Sequence, residues 1–311
     1  MSNKFKKDIF ILGIESSCDD TSVAIAKNKK ILSNIICNQE VHKKYGGIVP
    51  ELASREHQKN IIPTINLALK KAKILKNDIN AIAFTRGPGL MGSLLVGASF
   101  AKSLAMALNK PLIEVNHMEA HVLANCIDNE PEFPFICLTV SGGHTQIVRV
   151  KNIETIEIIG ETLDDSAGET FDKCARMMGL DYPGGPSIEK NGQNGNPNSF
   201  NFTFPKVNGL NFSFSGLKTN FLQLITKKKT ENKNFISENK RDLCASIEHT
   251  IIQILIEKLE STIQKYQPKS IAISGGVAAN NKFRQTIKKL EKKYNIQTLI
   301  PQKEYSIDNA A

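Results

Sequence analysis

The sequence has no C-x-x-C pair, no H-E-x-x-H and no Walker-type G-x-x-x-x-G-K-[ST]. Without the first, the six cysteines (Cys18, Cys37, Cys126, Cys137, Cys174 and Cys244) read as reduced, mostly buried thiols rather than a disulfide framework. Neither a P-loop nor a dinucleotide fingerprint is read from the glycine spacing. Met1–Lys7 is short and basic, and the apolar run after it is strand-like and brief, so no signal peptide is expected. The longest apolar stretch, GLMGSLLVGASFAKSLAMALN, contains Lys102 and is too short for a membrane span. It reads as a buried helix, and the protein as cytoplasmic, with no membrane partner.

What is present suits a globular α/β protein. The 311 residues, 41% hydrophobic and 23% charged, are enough for two domains and a sizeable core. Lys+Arg 40 against Asp+Glu 31 gives a net charge of +9, which favours anionic partners such as nucleotides or RNA. Runs such as KNKK and TKKKTENKN read equally as solvated surface.

Two hairpin patterns recur roughly 125 residues apart. The first pairs Ile9–Ile14 with Ser22–Ala26 across the polar turn Glu15–Asp20. The second pairs Phe135–Val140 with Thr145–Val150 across Ser141-Gly142-Gly143-His144. Their recurrence predicts duplicated lobes. SIAISGG follows an amphipathic helix over Arg241–Tyr266 and precedes a further helix and the strand-like NIQTLIP, so parallel pairing is expected there. Residues 191–201 and the charged segment TKKKTENKNFISENK read as loops. The polar stretch DNEPEFP places the lobe boundary near residues 129/130, giving lobes 1–129 and 130–311 with a ligand-binding cleft between them.

Three glycine turns could receive an anion through bare backbone N–H groups: Ser141-Gly142-Gly143, Ser274-Gly275-Gly276 and Gly184-Gly185. Two S-G-G turns after equivalent strands point to nucleotide binding. In GETLDDSAGETFDKCARMMGL most acidic residues suit a helix N-terminus, whereas Asp172 is a candidate for a sugar hydroxyl or a substrate amine. In VNHMEAHVLAN, His117 and His121 are one helical turn apart and can share a cation. Glu119 lies about 200° round the helix from His117, which removes the general base of a metalloprotease. A third ligand must come from elsewhere, and two ordinary surface histidines remain the alternative.

Taken together, G-I-E-S-S-C-D-D-T, G-G-I-V-P-E-L-A-S-R-E-H, G-P-G-L-M-G-S-L-L-V-G, N-H-M-E-A-H, V-S-G-G-H-T-Q, G-E-T-F-D-K, Y-P-G-G-P, F-S-F-S-G-L-K-T, S-G-G-V-A-A-N and D-N-A-A resemble the TsaD family, formerly called glycoprotease, from residue 13 to residue 311 and in order. The resemblance implies an actin-like ATPase fold of two RNase H-like lobes with a central cleft. It implies transfer of a threonylcarbamoyl group from threonylcarbamoyl-AMP to N6 of the adenosine 3′ of the anticodon, in tRNAs reading codons that begin with A.

It also implies one divalent metal on His117, His121 and Asp308, iron(II) ahead of zinc(II), a donor set that suits either. Thr139, Val140, Ser141, Gly142, Gly143, Asp172, Gly185, Glu189 and Asn280 carry over as contacts to the nucleotide substrate, a site that ATP or a related nucleotide could share. Asp19 is singled out as a residue acting near the N6 amine. A TsaB-like paralogue and a TsaE-like ATPase are the implied bacterial partners beside tRNA. Other classes remain: a non-catalytic nucleotide-binding partner of the same fold, or a small-molecule kinase. His42, Arg55 and His57 either face solvent or line a tRNA path, His144 is a turn histidine or a metal neighbour, and Lys218 is an RNA phosphate contact or an ordinary surface lysine. Family members continue past D-N-A-A, whereas this chain stops at Ala311, so fraying of the closing segment is expected to weaken metal binding.

Overall fold

The structure is a computed structural model and describes residues 8–311, so Met1–Lys7 lies outside the described residues. It contains two compact units: one runs to Ile127 and includes Ile307–Ala311, the other is Asp128–Ser306. Ile307–Ala311 therefore packs with the first unit, whereas sequence order groups it with 130–311.

Unit 1 is built on a five-stranded sheet of order β3-β2-β1-β4-β5. Its elements are β1 (Phe10–Glu15), β2 (Thr21–Lys27), β3 (Lys30–Cys37), α1 (Pro50–Ala72), β4 (Ala81–Gly87), α2 (Met91–Leu108), β5 (Leu112–Asn116) and α3 (His117–Leu123). The hairpin strands β1 and β2 pair antiparallel in unbroken register from Phe10↔Lys27 to Glu15↔Ser22, and β1, β4 and β5 run parallel. Buried Leu12, Ile14, Val23, Ile25, Ile82 and Phe84 of the strands meet Ile61, Ile65 and Ala68 of α1 and Ala101 and Ala105 of α2.

Unit 2 repeats the plan, with order β10-β9-β6-β7-β8. Its elements are β6 (Phe135–Val140), β7 (Thr145–Asn152), β8 (Thr155–Glu161), α4 (Ala167–Met177), α5 (Gly184–Asn191), α6 (Ser215–Glu231), α7 (Phe235–Tyr266), β9 (Ser270–Ser274), α8 (Asn281–Tyr294), β10 (Gln297–Leu299) and α9 (Lys303–Ser306). Here β6–β7–β8 is the antiparallel meander, and β9 and β10 extend it in parallel. Every residue of β6 and of β9 is buried, as a central strand covered on both faces requires.

Three expectations change. Most of TKKKTENKNFISENK is helical: α6 runs to Glu231 and α7 begins at Phe235. Leu217, Phe221 and Ile225, four apart, bury one stripe of α6, and its lysines occupy the solvent side. The apolar helix α2 is not wholly buried. Its buried residues are the small ones, Ser93, Gly97, Ala101 and Ala105, whereas Met91, Leu95 and Met106 are exposed. It is long and apolar enough to cross a membrane by composition alone, yet its small-residue stripe packs in the unit core. Finally, a G-x-G-x-x-G spacing does occur, at Gly87, Gly89 and Gly92, and two of its glycines serve packing. A side chain at Gly89 would strike the Ser17 backbone, and one at Gly92 would strike Ser54 of α1.

Candidate metal centre and nucleotide turns

Unit 1 gathers polar side chains at the C-terminal ends of its three parallel strands, where ligands bind in open α/β sheets. Strand β5 ends at Asn116, whose side chain accepts from the backbone N–H of Met118 (2.9 Å) and Glu119 (3.2 Å) and so starts α3 at His117. The helix then sets His117 and His121 on its buried face, with ring centroids 4.6 Å apart, and leaves Glu119 exposed. Asp308 arrives from the closing segment. Its Oδ1 lies 3.1 Å from His121 Nε2 and 3.9 Å from His117 Nε2.

Ligand atoms of His117, His121 and Asp308 all lie within 4.8 Å of one another. Donors about 2 Å from one ion stand about 3 Å apart, so the trio fits a single divalent cation. The segment that carries Asp308 is tied down. Its Asp308 carbonyl accepts from Ser22 Oγ (3.2 Å), and the Ala310 carbonyl lies against Gly13 of β1, where any side chain would collide with it. Expected fraying is thus opposed by contacts with the sheet.

Behind His117 stands Glu15, the last residue of β1, which the sequence pattern assigns to the turn with no role of its own. His117 Nδ1 donates to its Oε2 (3.1 Å), Thr85 Oγ1 of β4 donates to the same oxygen (2.6 Å), and the Ser17 N–H donates to Oε1. A glutamate closing an otherwise apolar strand was the available signal, and the structure leaves it only 3% exposed. Burial pushes its carboxyl up, and the hydrogen bond and charge of His117 together with the Ser17 bond outweigh this, leaving it below the usual range. For His117, burial pushes the imidazole down and Glu15 raises it above the usual histidine value.

Asp19, in the β1–β2 turn, is held above the usual aspartate value by burial and by the nearby charge of Asp308. Its neighbour Asp20 is pushed up to about 7 by burial and by Asp19. His57 and His42 neither face solvent nor line an RNA path. His57 is buried between Thr21 Oγ1 (2.7 Å) and the Cys18 carbonyl (3.1 Å), and His42 is buried against Gln39 and the Val49 N–H. Arg55 is exposed and paired with Glu51 within α1.

In unit 2 two of the three glycine segments follow strand ends, those of β6 and β9, whereas Gly184-Gly185 lies beyond α4 and begins helix α5. Gly142 and Gly143 are exposed, and an added Cβ at either would meet nothing within 4 Å, so their backbone is open to a ligand. Ser141 braces the turn by accepting from the His144 N–H (3.0 Å), and Ser166 Oγ donates to the Gly142 carbonyl (2.6 Å). The turns touch: a side chain at Gly168 would strike Ser141 and Gly142, and one at Gly275 would strike Val140. Thr139 and Val140 are fully buried beneath, with Thr139 Oγ1 bonded to Ser274 Oγ (2.8 Å). Their side chains support the turn rather than reach a ligand.

Asp172 of α4 accepts from the Gly184 N–H (2.7 Å) and so anchors the start of α5, while Gly185 next to it is open. Glu189 accepts from the backbone and side chain of Asn281 (2.9 and 2.6 Å). Asn280 caps α8 through the Phe283 N–H (2.9 Å) and donates to buried Glu248 (2.7 Å). Lys218 is ion-paired with Asp165 (2.7 Å), which also holds Lys173, so its charge is already neutralised locally.

The family model described as TsaD, tRNA N6-adenosine threonylcarbamoyltransferase, matches residues 30–311 of the chain. The tRNA N6-adenosine threonylcarbamoyltransferase of Riemerella anatipestifer is 57% identical over 309 residues, covering 98% of this chain and 91% of that protein. That of Christiangramia forsetii is 56% identical over 307 residues, covering 97% and 90%. Among solved structures, HypF of T. kodakarensis aligns at TM-score 0.58 and 14% identity over 99% of this chain and 47% of its own. Component A of the Acidaminococcus fermentans (R)-2-hydroxyglutaryl-CoA dehydratase aligns at 0.54 and 14% over 96% and 95%. These two likenesses concern the fold, which is of the actin-like ATPase class.

Proposed function

The chain belongs to the TsaD family of tRNA N6-adenosine threonylcarbamoyltransferases, and from that membership we propose that it transfers the threonylcarbamoyl group of threonylcarbamoyl-AMP to N6 of the adenosine 3′ of the anticodon in tRNAs reading codons that begin with A. The observation that carries the reading is the convergence of His117, His121 and Asp308 from segments far apart in sequence. The three side chains would hold one divalent cation, iron(II) or alternatively zinc(II), which when bound supplies Lewis acidity toward an oxygen of the donor.

The chain's own residues do the rest. Glu15 holds a proton on His117 Nδ1. The open backbone at Gly142, Gly143 and Gly185 accepts the adenylate, with Ser141, Thr139 and Val140 fixing the first turn and Asp172 fixing the second. Glu189 and Asn280 hold the start of α8 beside them.

In the transfer the N6 lone pair attacks the carbamoyl carbonyl carbon, the new C–N bond forms, the C–O bond to AMP breaks, and AMP leaves with the electron pair. The amine's proton passes to a base. Asp19, in the β1–β2 turn, is the residue we assign to act near that amine. An exocyclic amine is a poor nucleophile, so the remaining acceleration comes from positioning and from an activated donor. The target adenosine leaves its stack to react. A net charge of +9 suits the tRNA partner. A TsaB-like paralogue, a TsaE-like ATPase and a cytoplasmic setting belong to the same proposal.

The test is nucleoside analysis of unmodified tRNA incubated with this chain, the two partner proteins and threonylcarbamoyl-AMP, beside His117→Ala and His121→Ala. Threonylcarbamoyladenosine should form with the wild-type chain and fall at least about tenfold in each variant. No product from the wild-type mixture would favour a non-catalytic nucleotide-binding partner. Equal product from all three would dissociate the histidines from the reaction.

A further inference from the structure

Glu15 makes three hydrogen bonds, all of them at one end of the sheet. Both of its oxygens are occupied: Oε1 by the Ser17 N–H, and Oε2 by Thr85 Oγ1 and His117 Nδ1. The turn after its own strand, the neighbouring strand β4 and the helix α3 each contribute one donor, so the carboxylate cannot swing without breaking contacts to all three. An imidazole has two nitrogens, and fixing the proton on Nδ1 leaves the Nε2 lone pair for an external acceptor. That Nε2 is the nitrogen facing Asp308.

We propose that Glu15 is the positioning residue of the cation site: it locks the tautomer and ring orientation of His117 and supplies the negative charge that balances the bound ion. The charge balance is independent of the tautomer. Two neutral imidazoles and the Asp308 carboxylate leave a divalent ion with a surplus positive charge beside buried walls, and an unbalanced charge there is costly. The Glu15 carboxylate cancels it from behind the ligand, without occupying a coordination position that a substrate needs. Thr85, in turn, orients Glu15. The inference rests on the reading that His117, His121 and Asp308 bind a cation.

The experiment uses the full chain and cobalt(II) as spectroscopic probe, with affinity measured by competition against a chelator. Wild type, His121→Ala, Glu15→Gln and Glu15→Ala are compared. His121→Ala tests the site itself. If it binds cobalt as wild type does, the cation reading fails, and the role of Glu15 falls with it. If His121→Ala loses binding, Glu15→Ala is expected to weaken cobalt about 10–100-fold. Glu15→Gln, which keeps an acceptor for Nδ1 but loses the charge, is expected to fall between Glu15→Ala and wild type.

Because Glu15→Ala leaves three buried donors unpaired, folding is followed separately by thermal unfolding of the cation-free proteins. Nitrogen-15 histidine spectra recorded above the ordinary histidine range read the tautomer directly in the same samples. The expected result is an Nδ1–H His117 in wild type and Glu15→Gln and a mixed tautomer in Glu15→Ala. Cobalt affinity within about twofold of wild type in folded Glu15 variants, with the His117 tautomer unchanged, would overturn the proposal.

Discussion

Two adjacent glycines in Tyr-Pro-Gly-Gly-Pro do different work. A Cβ at Gly184 would lie 2.6 Å from Asp172 Cα and 2.7 Å from Ala175 Cβ, so this glycine is required for α4 and α5 to touch. A Cβ at Gly185 meets nothing within 4 Å. Gly184→Ala is therefore expected to cost about 1–3 kcal/mol in denaturant unfolding, by overpacking. Gly185→Ala should stay within about 0.5 kcal/mol of wild type. Titration calorimetry with AMP should nonetheless register a loss for Gly185→Ala, because its side chain would stand where the proposed adenylate approaches. The sequence signals that glycine is needed here; which glycine faces a neighbour and which faces open space depends on the packing of two helices.

At the level of elements, the segment just ahead of α4 holds the start of α6 through Asp164. Asp164 accepts from Ser213 Oγ (2.6 Å), the Phe214 N–H (2.7 Å), the Ser215 N–H (3.2 Å) and Ser215 Oγ (2.7 Å), pinning the start of α6 just ahead of α4. Burial raises its carboxyl, and these bonds bring it below the usual value of 3.8. A depressed carboxyl stabilises the fold above its unfolded value, and that contribution disappears as pH falls through the lower folded value. The melting temperature of Asp164→Asn should accordingly lie below wild type at neutral pH, with the gap closing below about pH 3–4. A gap independent of pH would assign the loss to geometry alone. Helix α2 shows the opposite limit of pattern reading. Its hydropathy suggests burial, but only a small-residue stripe fits against the sheet, where Ser16 beside Gly97 leaves no room for a Cβ.

Across the whole chain, the first unit is completed by the last five residues, Ile307–Ala311. The third ligand of the proposed site is thereby delivered by residues far from the histidines, held where Gly13 leaves space for the Ala310 carbonyl. Gly13→Ala should displace this segment. Its cobalt affinity is expected to drop toward that of Asp308→Ala while circular dichroism retains the helical signal, although Gly13 is no ligand. Unchanged affinity would mean that the segment finds Asp308's place without this contact.

Much of this was determined by the sequence alone. Alternation of apolar residues around polar turns marks both hairpins, and Phe135–Val140 is a strand over the very span read from its residues, because strand periodicity and turn chemistry are local properties. The i,i+4 histidines and the place of Glu119 follow from helix geometry. Family motifs named the activity because they extend over nearly the whole chain. Only the tertiary structure decided that Glu15 and Thr85 stand behind His117, that His42 and His57 are buried and bonded, and that Lys218 is paired with Asp165. Each of those depends on which residues from distant segments end beside one another, and strand order, not local pattern, sets that.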